Sequence, residues 1–278
     1  MRRLFALSPT WLCNFCNEVQ ARAWGSPSAD GAFPEVVKEG FDMADLVLNW
    51  GLLGAFGTNV EPTQTVDTGG INVTIGFDAQ DEEASGVTFN EPGYVAESDP
   101  FDSQSFLKLS GQGGEGGVDA TSTTTLDFTS SNALFEDCVQ NVTFRLNDID
   151  GGGNDIDPTS ALHQDIVTVR AYGPDGNELP VTFTTGSNVT ATGNTLSDGD
   201  TNFGYEDGEA STLVSVAGPV TRIEIEYANG DVGEQTVMVS DLHFSTCPAD
   251  DNDAPVVVDD SALTDEDTAV VVRFGQRQ

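Results

Sequence analysis

Apolar and polar residues alternate along much of this chain from residue 71 onward, and this alternation limits the possible folds more than any other feature. In 142–146 and 223–227 every second side chain is apolar, and the residues between them are polar or charged. Successive side chains of a β-strand point to opposite faces, so such segments place one face on a core and the other in water. Short strands of this kind, separated by turn signals, predict an all-β fold: an antiparallel β-sandwich, jelly-roll-like in type.

The predicted strands lie at 71–77, 125–128, 139–146, 166–172, 181–183, 212–216, 223–227 and 237–244. Residues 173–177 read Gly-Pro-Asp-Gly-Asn, which predicts a tight turn because Pro presets its φ and Gly or Asn tolerates positive φ. That turn should join a strand ending near Tyr172 to one beginning near Leu179. Residues 41–56 predict either one short helix or a strand that leads into the sandwich.

The charge of the chain restricts its partners. Its 278 residues carry 46 acidic and 10 basic side chains, for a formal net charge of -36. This excess repels nucleic acid and anionic membrane surfaces, whose binding depends on clustered Lys and Arg. Two explanations of the acidity stay open: loops that bind cations, or a surface adapted to a saline medium in which charge is screened. Disorder, a third explanation, is expected only in the loops and the tail, because hydrophobic residues make up 38% of the chain in regular short runs.

The four cysteines form two pairs. Cys138 and Cys247 flank the most regular β region, and a disulfide between them would close a loop worth about 4 to 5 kcal/mol in the chain-entropy model. Two buried free thiols are the alternative. Cys13 and Cys16 form a C-x-x-C with no second such pair to complete a zinc site, so we interpret them as incidental.

Residues 1–24 have some features of a leader. Two arginines precede a short apolar segment, and Ala21-Arg22-Ala23 has the small-x-small form of an export cleavage site. A misassigned start, or a leader further upstream, would also fit. No apolar run approaches the length of a membrane-spanning helix.

The first acidic segment, 147–157, directly follows a predicted strand and contains three consecutive glycines. Carboxylate and amide oxygens on a flexible loop can converge on Ca²⁺, which takes about six to eight oxygen ligands. The candidate metal ligands here are Asp148, Asp150, Asn154, Asp155 and Asp157. A solvated acidic loop without an ion is the alternative.

The second acidic segment, 198–209, fits part of the calcium-loop register. Its first, third, fifth and twelfth positions are Asp198, Asp200, Asn202 and Glu209. Gly204 stands one place later than that register requires, and no amphipathic helices flank the loop. We therefore treat this segment as a second candidate calcium loop, with a solvated loop as the alternative.

Catalysis finds little support in the sequence, and we predict no catalytic residue. His163 and His243 are the only histidines, and His243 lies in a strand pattern typical of a packed side chain. Neither a nucleophile-elbow nor a zinc-protease motif is present. An acidic hydrolase stays open as a minor hypothesis, since paired carboxylates are always available in so acidic a chain.

The tail carries the most specific resemblance. Residues 250–255 read Asp-Asp-Asn-Asp-Ala-Pro and precede an apolar run at 256–258 and a further acidic segment at 264–268. This arrangement resembles the start of a cadherin-like or Ig-like tandem repeat of bacterial surface proteins, truncated before the repeat is complete. The resemblance implies a calcium-stiffened junction with Asp251 and Asp253 among its ligands. The strand order ending in Ser-Asp-Leu-His-Phe at 240–244 is similar to the non-catalytic jelly-roll domains of secreted bacterial proteins.

The expected organisation is a leader or disordered N-terminus at 1–24, a β-sandwich at 25–248, and an acidic linker with the truncated repeat at 249–278. The expected function is non-enzymatic: a secreted or cell-surface module of a multi-domain bacterial protein, stabilised by Ca²⁺, that serves adhesion or matrix organisation. Its partner would be a surface protein or a glycan. The alternative is a carbohydrate-binding module appended to a secreted enzyme, which a face with two or three coplanar exposed aromatic rings would favour.

Overall fold

Two antiparallel sheets form the architecture of the computed structural model, which describes residues 43–81, 83–112, 118–152, 163–198 and 201–249. The strands of this described part, in chain order, are β1 (Asp45–Leu48), β2 (Gln64–Asp67), β3 (Ile71–Ala79), β4 (Ser85–Phe89), β5 (Phe106–Gln112), β6 (Asp119–Ser130), β7 (Phe135–Asn147), β8 (Gly151–Gly152), β9 (His163–Tyr172), β10 (Glu178–Leu179), β11 (Thr182–Thr185), β12 (Val189–Thr192), β13 (Thr195–Asp198), β14 (Thr212–Val216), β15 (Arg222–Asn229), β16 (Glu234–Ser240) and β17 (Leu242–Pro248). Two single 3-10 turns, Trp50–Leu52 and Gly208–Ala210, are the helical elements of this part. None of its helices is long and apolar enough to cross a membrane.

The strands pair in a nested order. Sheet A contains β1, β4, β5, β7, β11, β14, β16 and β17, and sheet B contains the other nine strands. β5 pairs with β16, β6 with β15, β7 with β14 and β9 with β13, and successive pairs lie in alternate sheets. This nesting is the path of a jelly roll. The predicted antiparallel β-sandwich is therefore confirmed.

One apolar core fills the space between the sheets, built from the inward positions of the alternating strands. Leu107 and Leu109 of sheet A are fully buried, as are Val167 and Val169 of sheet B. Each fully buried side chain of this size stabilises the fold by about 1.5–3 kcal/mol. The strongest sequence signals, such as 212–216 for β14 and 223–227 for β15, correspond to strands of this core.

The segment before the core begins with β1, and Trp50 follows in the first 3-10 turn. The indole Nε1 of Trp50 donates to the carbonyl oxygen of Ser240 at 2.8 Å, which fixes this buried ring against sheet A. The Asn49 side chain accepts from the N–H of Gly51 at the start of the turn. The described residues of segment 41–56 therefore form the short strand β1 followed by a 3-10 turn. Of the two predicted alternatives, the strand is the one that these residues form.

The predicted strand 237–244 is wrong in one respect, because it is broken at Asp241. The N–H of Asp241 donates to the Ser105 carbonyl at 3.0 Å, and its Oδ1 accepts from the N–H of Asp102 at 3.1 Å. At these bonds the strand is interrupted, so that β16 ends at Ser240 and β17 begins at Leu242.

Cys138 on β7 and Cys247 on β17 form a disulfide between neighbouring strands of sheet A, with Cα atoms 5.6 Å apart. The N–H of Thr246 donates to the carbonyl of Ala44 at 2.9 Å, so the chain enters and leaves the sandwich at this same end. The predicted leader, Cys13 and Cys16, and the repeat-like tail lie outside the described residues.

Candidate functional site

The two acidic segments meet at the end of the sandwich opposite the disulfide. Asp150 Oδ2 accepts from the backbone N–H of Phe203 at 2.6 Å, and Asp150 Oδ1 lies 3.1 Å from His163 Nε2. The same imidazole nitrogen lies 3.2 Å from the side-chain nitrogen of Asn202. The segments that the sequence presents as two separate candidate loops therefore form one region, which we call the acidic end.

A buried polar layer lies beneath these loops, at the edge of the core. Asp165, on an inward position of β9, is fully buried and accepts from the Tyr227 hydroxyl at 2.7 Å. Its other oxygen lies 3.2 Å from the N–H of Asp150, which donates to it. Asp198, at the end of β13, is only 4% exposed. The core therefore ends in carboxylates rather than in apolar side chains.

Burial changes the acidity of this layer. Burial and, after it, the nearby charge of Asp150 raise the pKa of Asp148 to about 7, although His163 and Lys108 partly oppose the shift. Burial also raises the pKa of Asp165 well above its ordinary value, although the hydrogen bond from Tyr227 opposes this. Ionising both of these carboxyl groups in the folded protein is therefore costly.

Asp148 has the left-handed backbone conformation, with φ of 65°. Few residues other than glycine adopt it, but Asp and Asn do so more readily than most because their short polar side chains bond locally. The position fits an aspartate in a turn directly after β7.

The predicted ligands do not all converge. Glu209 lies in the 3-10 turn Gly208–Ala210, is exposed, and contributes a backbone carbonyl that accepts from the N–H of Asn188 at 3.1 Å. Several predicted ligands lie outside the described residues: Asn154, Asp155, Asp157, Asp200, Asp251 and Asp253. Within the described ranges, no group of three or more His, Cys, Asp or Glu side chains is arranged to hold a metal ion.

Asp165 and Tyr227 were not among the predicted site residues. The signal that could have identified Asp165 is its phase, because it occupies the same face of β9 as Val167, Val169 and Ala171. A carboxylate on the apolar face of a strand must be buried, and buried carboxylates need partners.

A second region of interest lies on the outer face of sheet A, near the edge strand β4. Phe56 and Phe89 have ring centroids 5.5 Å apart with planes at 43°, and Phe89 and Tyr205 have centroids 5.7 Å apart with planes at 85°. These three rings, which we call the aromatic cluster, are not coplanar. They do not form the flat platform that would favour a carbohydrate-binding module in its simplest form.

No protein-family model matches the chain, and no curated protein matches it.

Proposed function

We propose that the protein is a secreted or cell-surface β-sandwich module, without enzymatic activity, whose acidic end binds Ca²⁺ and so orders the loops that follow β7 and β13. The module would serve adhesion or matrix organisation within a larger protein. The observation that carries this proposal is that Asp150 and Asn202, one from each predicted calcium loop, meet at the same nitrogen of the His163 ring, with Asp148 close enough to Asp150 for their charges to interact.

A divalent cation fits the electrostatics of this region. Carboxylates that crowd together in a partly buried site repel each other and are costly to ionise. A bound Ca²⁺ would offset that repulsion, and oxygen ligands from Asp148, Asp150 and Asn202 are of the type it prefers. Backbone carbonyls and water would complete the coordination.

An extracellular setting is supported by the Cys138–Cys247 disulfide, since disulfides form and persist in oxidising compartments. The large negative charge also fits an exposed surface in a medium that contains calcium and salt.

The test is calcium titration of the chelator-treated protein by calorimetry, together with thermal unfolding at constant ionic strength. We expect saturable binding and a rise in Tm, since a ligand at about one hundred times its Kd stabilises the native state by about 2.7 kcal/mol. Asp150→Asn should remove most of this rise. Asp78→Asn removes the same charge from an exposed position of β3 and should leave the rise unchanged.

Two results would contradict the proposal. One is the absence of calcium-dependent heat and stabilisation. The other is an equal rise in Tm on adding NaCl at matched ionic strength, which would assign the negative charge to adaptation to a saline medium.

A further inference from the structure

In the aromatic cluster, one ring is exposed to solvent and the other two pack behind it. Phe56 is 54% exposed, Phe89 lies against it, and Tyr205 meets Phe89 edge-on. Single exposed apolar side chains are common on proteins. Three aromatic rings joined by two successive contacts and ending in an exposed ring are a more specific arrangement.

The loop that carries Phe56 is fastened to β4. The N–H of Gly57 donates to the carbonyl of Thr88 at 2.8 Å, and the N–H of Thr58 donates to the Thr88 hydroxyl at 3.0 Å. That hydroxyl donates in turn to the carbonyl of Ala55 at 2.6 Å. The exposed ring is therefore held in a defined place, which lowers the entropic cost of binding to it.

A polar groove of about 240 Å³ adjoins the aromatic cluster. Its polar lining side chains are Glu83, Ser85, Lys108, Ser110, Gln112 and Glu234. Lys108 connects the two features, because its Nζ lies 5.8 Å from the centroid of the Phe89 ring while its side chain lines the groove. The groove thus begins at Lys108, next to Phe89, and runs along β4 and β5 away from the rings toward Glu83 and Glu234.

We propose that the aromatic cluster and the polar groove together bind a neutral glycan. A sugar ring offers an apolar C–H face that can stack on the exposed Phe56, and its hydroxyl groups can donate to carboxylates and accept from an ammonium or amide. Because only Phe56 is well exposed, one sugar unit stacks on it, and the rest of the glycan extends past Lys108 along the groove.

Charge and size decide between ligand classes. The net charge of -36 disfavours uronic-acid and sulfated glycans, which would also meet Glu83 and Glu234 in the groove. A protein partner generally needs about 800 Å² of contact with an apolar centre, whereas this groove is narrow and lined mainly by polar groups. A neutral glycan is the class that fits both features.

This site names a ligand for the adhesion that the proposed function includes, and its role in adhesion rests on that proposed function. Glycan binding is nevertheless measured separately from calcium binding, so the failure of one is distinguishable from the failure of the other. Hexamers of β-1,4-glucose, β-1,4-mannose, β-1,4-xylose and α-1,4-glucose are titrated by calorimetry, each in calcium and in chelator. A galacturonic-acid hexamer serves as the anionic probe. We expect at least one neutral hexamer to bind, and the anionic hexamer to bind at least about tenfold more weakly.

Variants locate the site. Phe56→Ala should weaken binding about threefold to tenfold, the range expected for loss of one aromatic contact. Phe56→Trp should retain binding, and Lys108→Gln should weaken it. Leu52→Ala is the matched control, because Leu52 is 55% exposed on the same connection but lies outside the aromatic cluster. Equal Tm values for wild type and variants verify the fold.

The inference is overturned if no neutral hexamer binds, if Phe56→Ala binds as tightly as wild type, or if the anionic hexamer binds more tightly. Self-association that Phe56→Ala abolishes would also overturn it, by assigning the surface to a second copy of the chain. Glycan binding that is equal in calcium and in chelator supports the glycan site. It contradicts only the proposal that Ca²⁺ orders the loop after β13, which carries Tyr205.

Discussion

Asp165 places a carboxylate at an inward position of β9, which makes the stability of the described core depend on pH. Burial raises its pKa, and the folded protein therefore holds a proton on Asp165 more tightly than the unfolded chain does. For an acid whose folded pKa exceeds its unfolded value of about 3.9, stability is lost as pH rises from about 4 through the folded pKa. Above that pKa the loss is constant.

Asp165→Asn should remove the loss of stability that ionisation of Asp165 causes, because the amide oxygen can still accept from the Tyr227 hydroxyl but carries no charge. In chelator, the free energy of unfolding measured by urea should fall less between pH 4 and pH 7 in the variant than in wild type. Tyr227→Phe removes the bond that favours the ionised carboxylate, so its curve should fall more steeply. Parallel curves for all three proteins would contradict this assignment.

At the scale of elements, alternation identified strands only where one face meets the core and the other meets water. β14 and β15 satisfy that condition. β5 does not, since its outward Phe106 is fully buried under the loop that contains Gly93. β6 extends well beyond the predicted 125–128 because hydroxyl side chains, among them Thr124, occupy buried positions where the pattern requires apolar ones.

Arg145 contacts the loop that covers Phe106. This contact is a second feature that the alternation of apolar and polar residues does not predict. The guanidinium of this 9% exposed residue forms an ion pair with Asp99, donates to the Ser211 hydroxyl at 3.1 Å, and lies 5.2 Å from the centroid of the Tyr94 ring. These partners are distant in sequence and meet only after the sheets form.

The candidate site was predictable in the same partial way. Its acidic residues stand out in the sequence, but their meeting depends on strand register, in which Ser197 of β13 pairs with Ile166 of β9. That register places the loop after β13 beside the start of β9. Glu209 matched a motif in sequence yet lies in a separate 3-10 turn.

The tight packing of β5 against β6 at Gly111 gives an element-scale prediction. A Cβ at Gly111 of β5 would lie 1.8 Å from Thr121 Cγ2 of β6. Gly111→Ala should therefore lower the free energy of unfolding by about 1–3 kcal/mol, the usual cost of overpacking, as measured by urea denaturation. Thr121→Ser removes the clashing methyl, so adding it to Gly111→Ala should restore part of the loss. A double variant no more stable than Gly111→Ala would show that the contact is not the cause.

At the scale of the whole molecule, the disulfide connects β7 to β17 across 109 positions of sequence. Replacing both Cys138 and Cys247 by Ser should lower the free energy of unfolding by about 4–5 kcal/mol, since the unfolded chain regains the entropy of the closed loop. Urea denaturation of the oxidised wild type and the double variant checks this. The reduced wild type should resemble the variant, and equal stability of the oxidised and reduced proteins would refute the prediction.

The same bridge determines how the sandwich would respond to mechanical tension applied between residues 43 and 249. β1 and β17 are antiparallel and carry these two ends side by side, so a pull would open their hydrogen bonds one after another rather than all at once. On the β17 side the opening would stop at Cys247, because the load there passes through the sulfur atoms to β7. Chain between the two cysteines would bear no tension, and stretching would lengthen only the part before Cys138. The domain would therefore give way readily at β1, and its extension would stop once the chain before Cys138 is fully stretched.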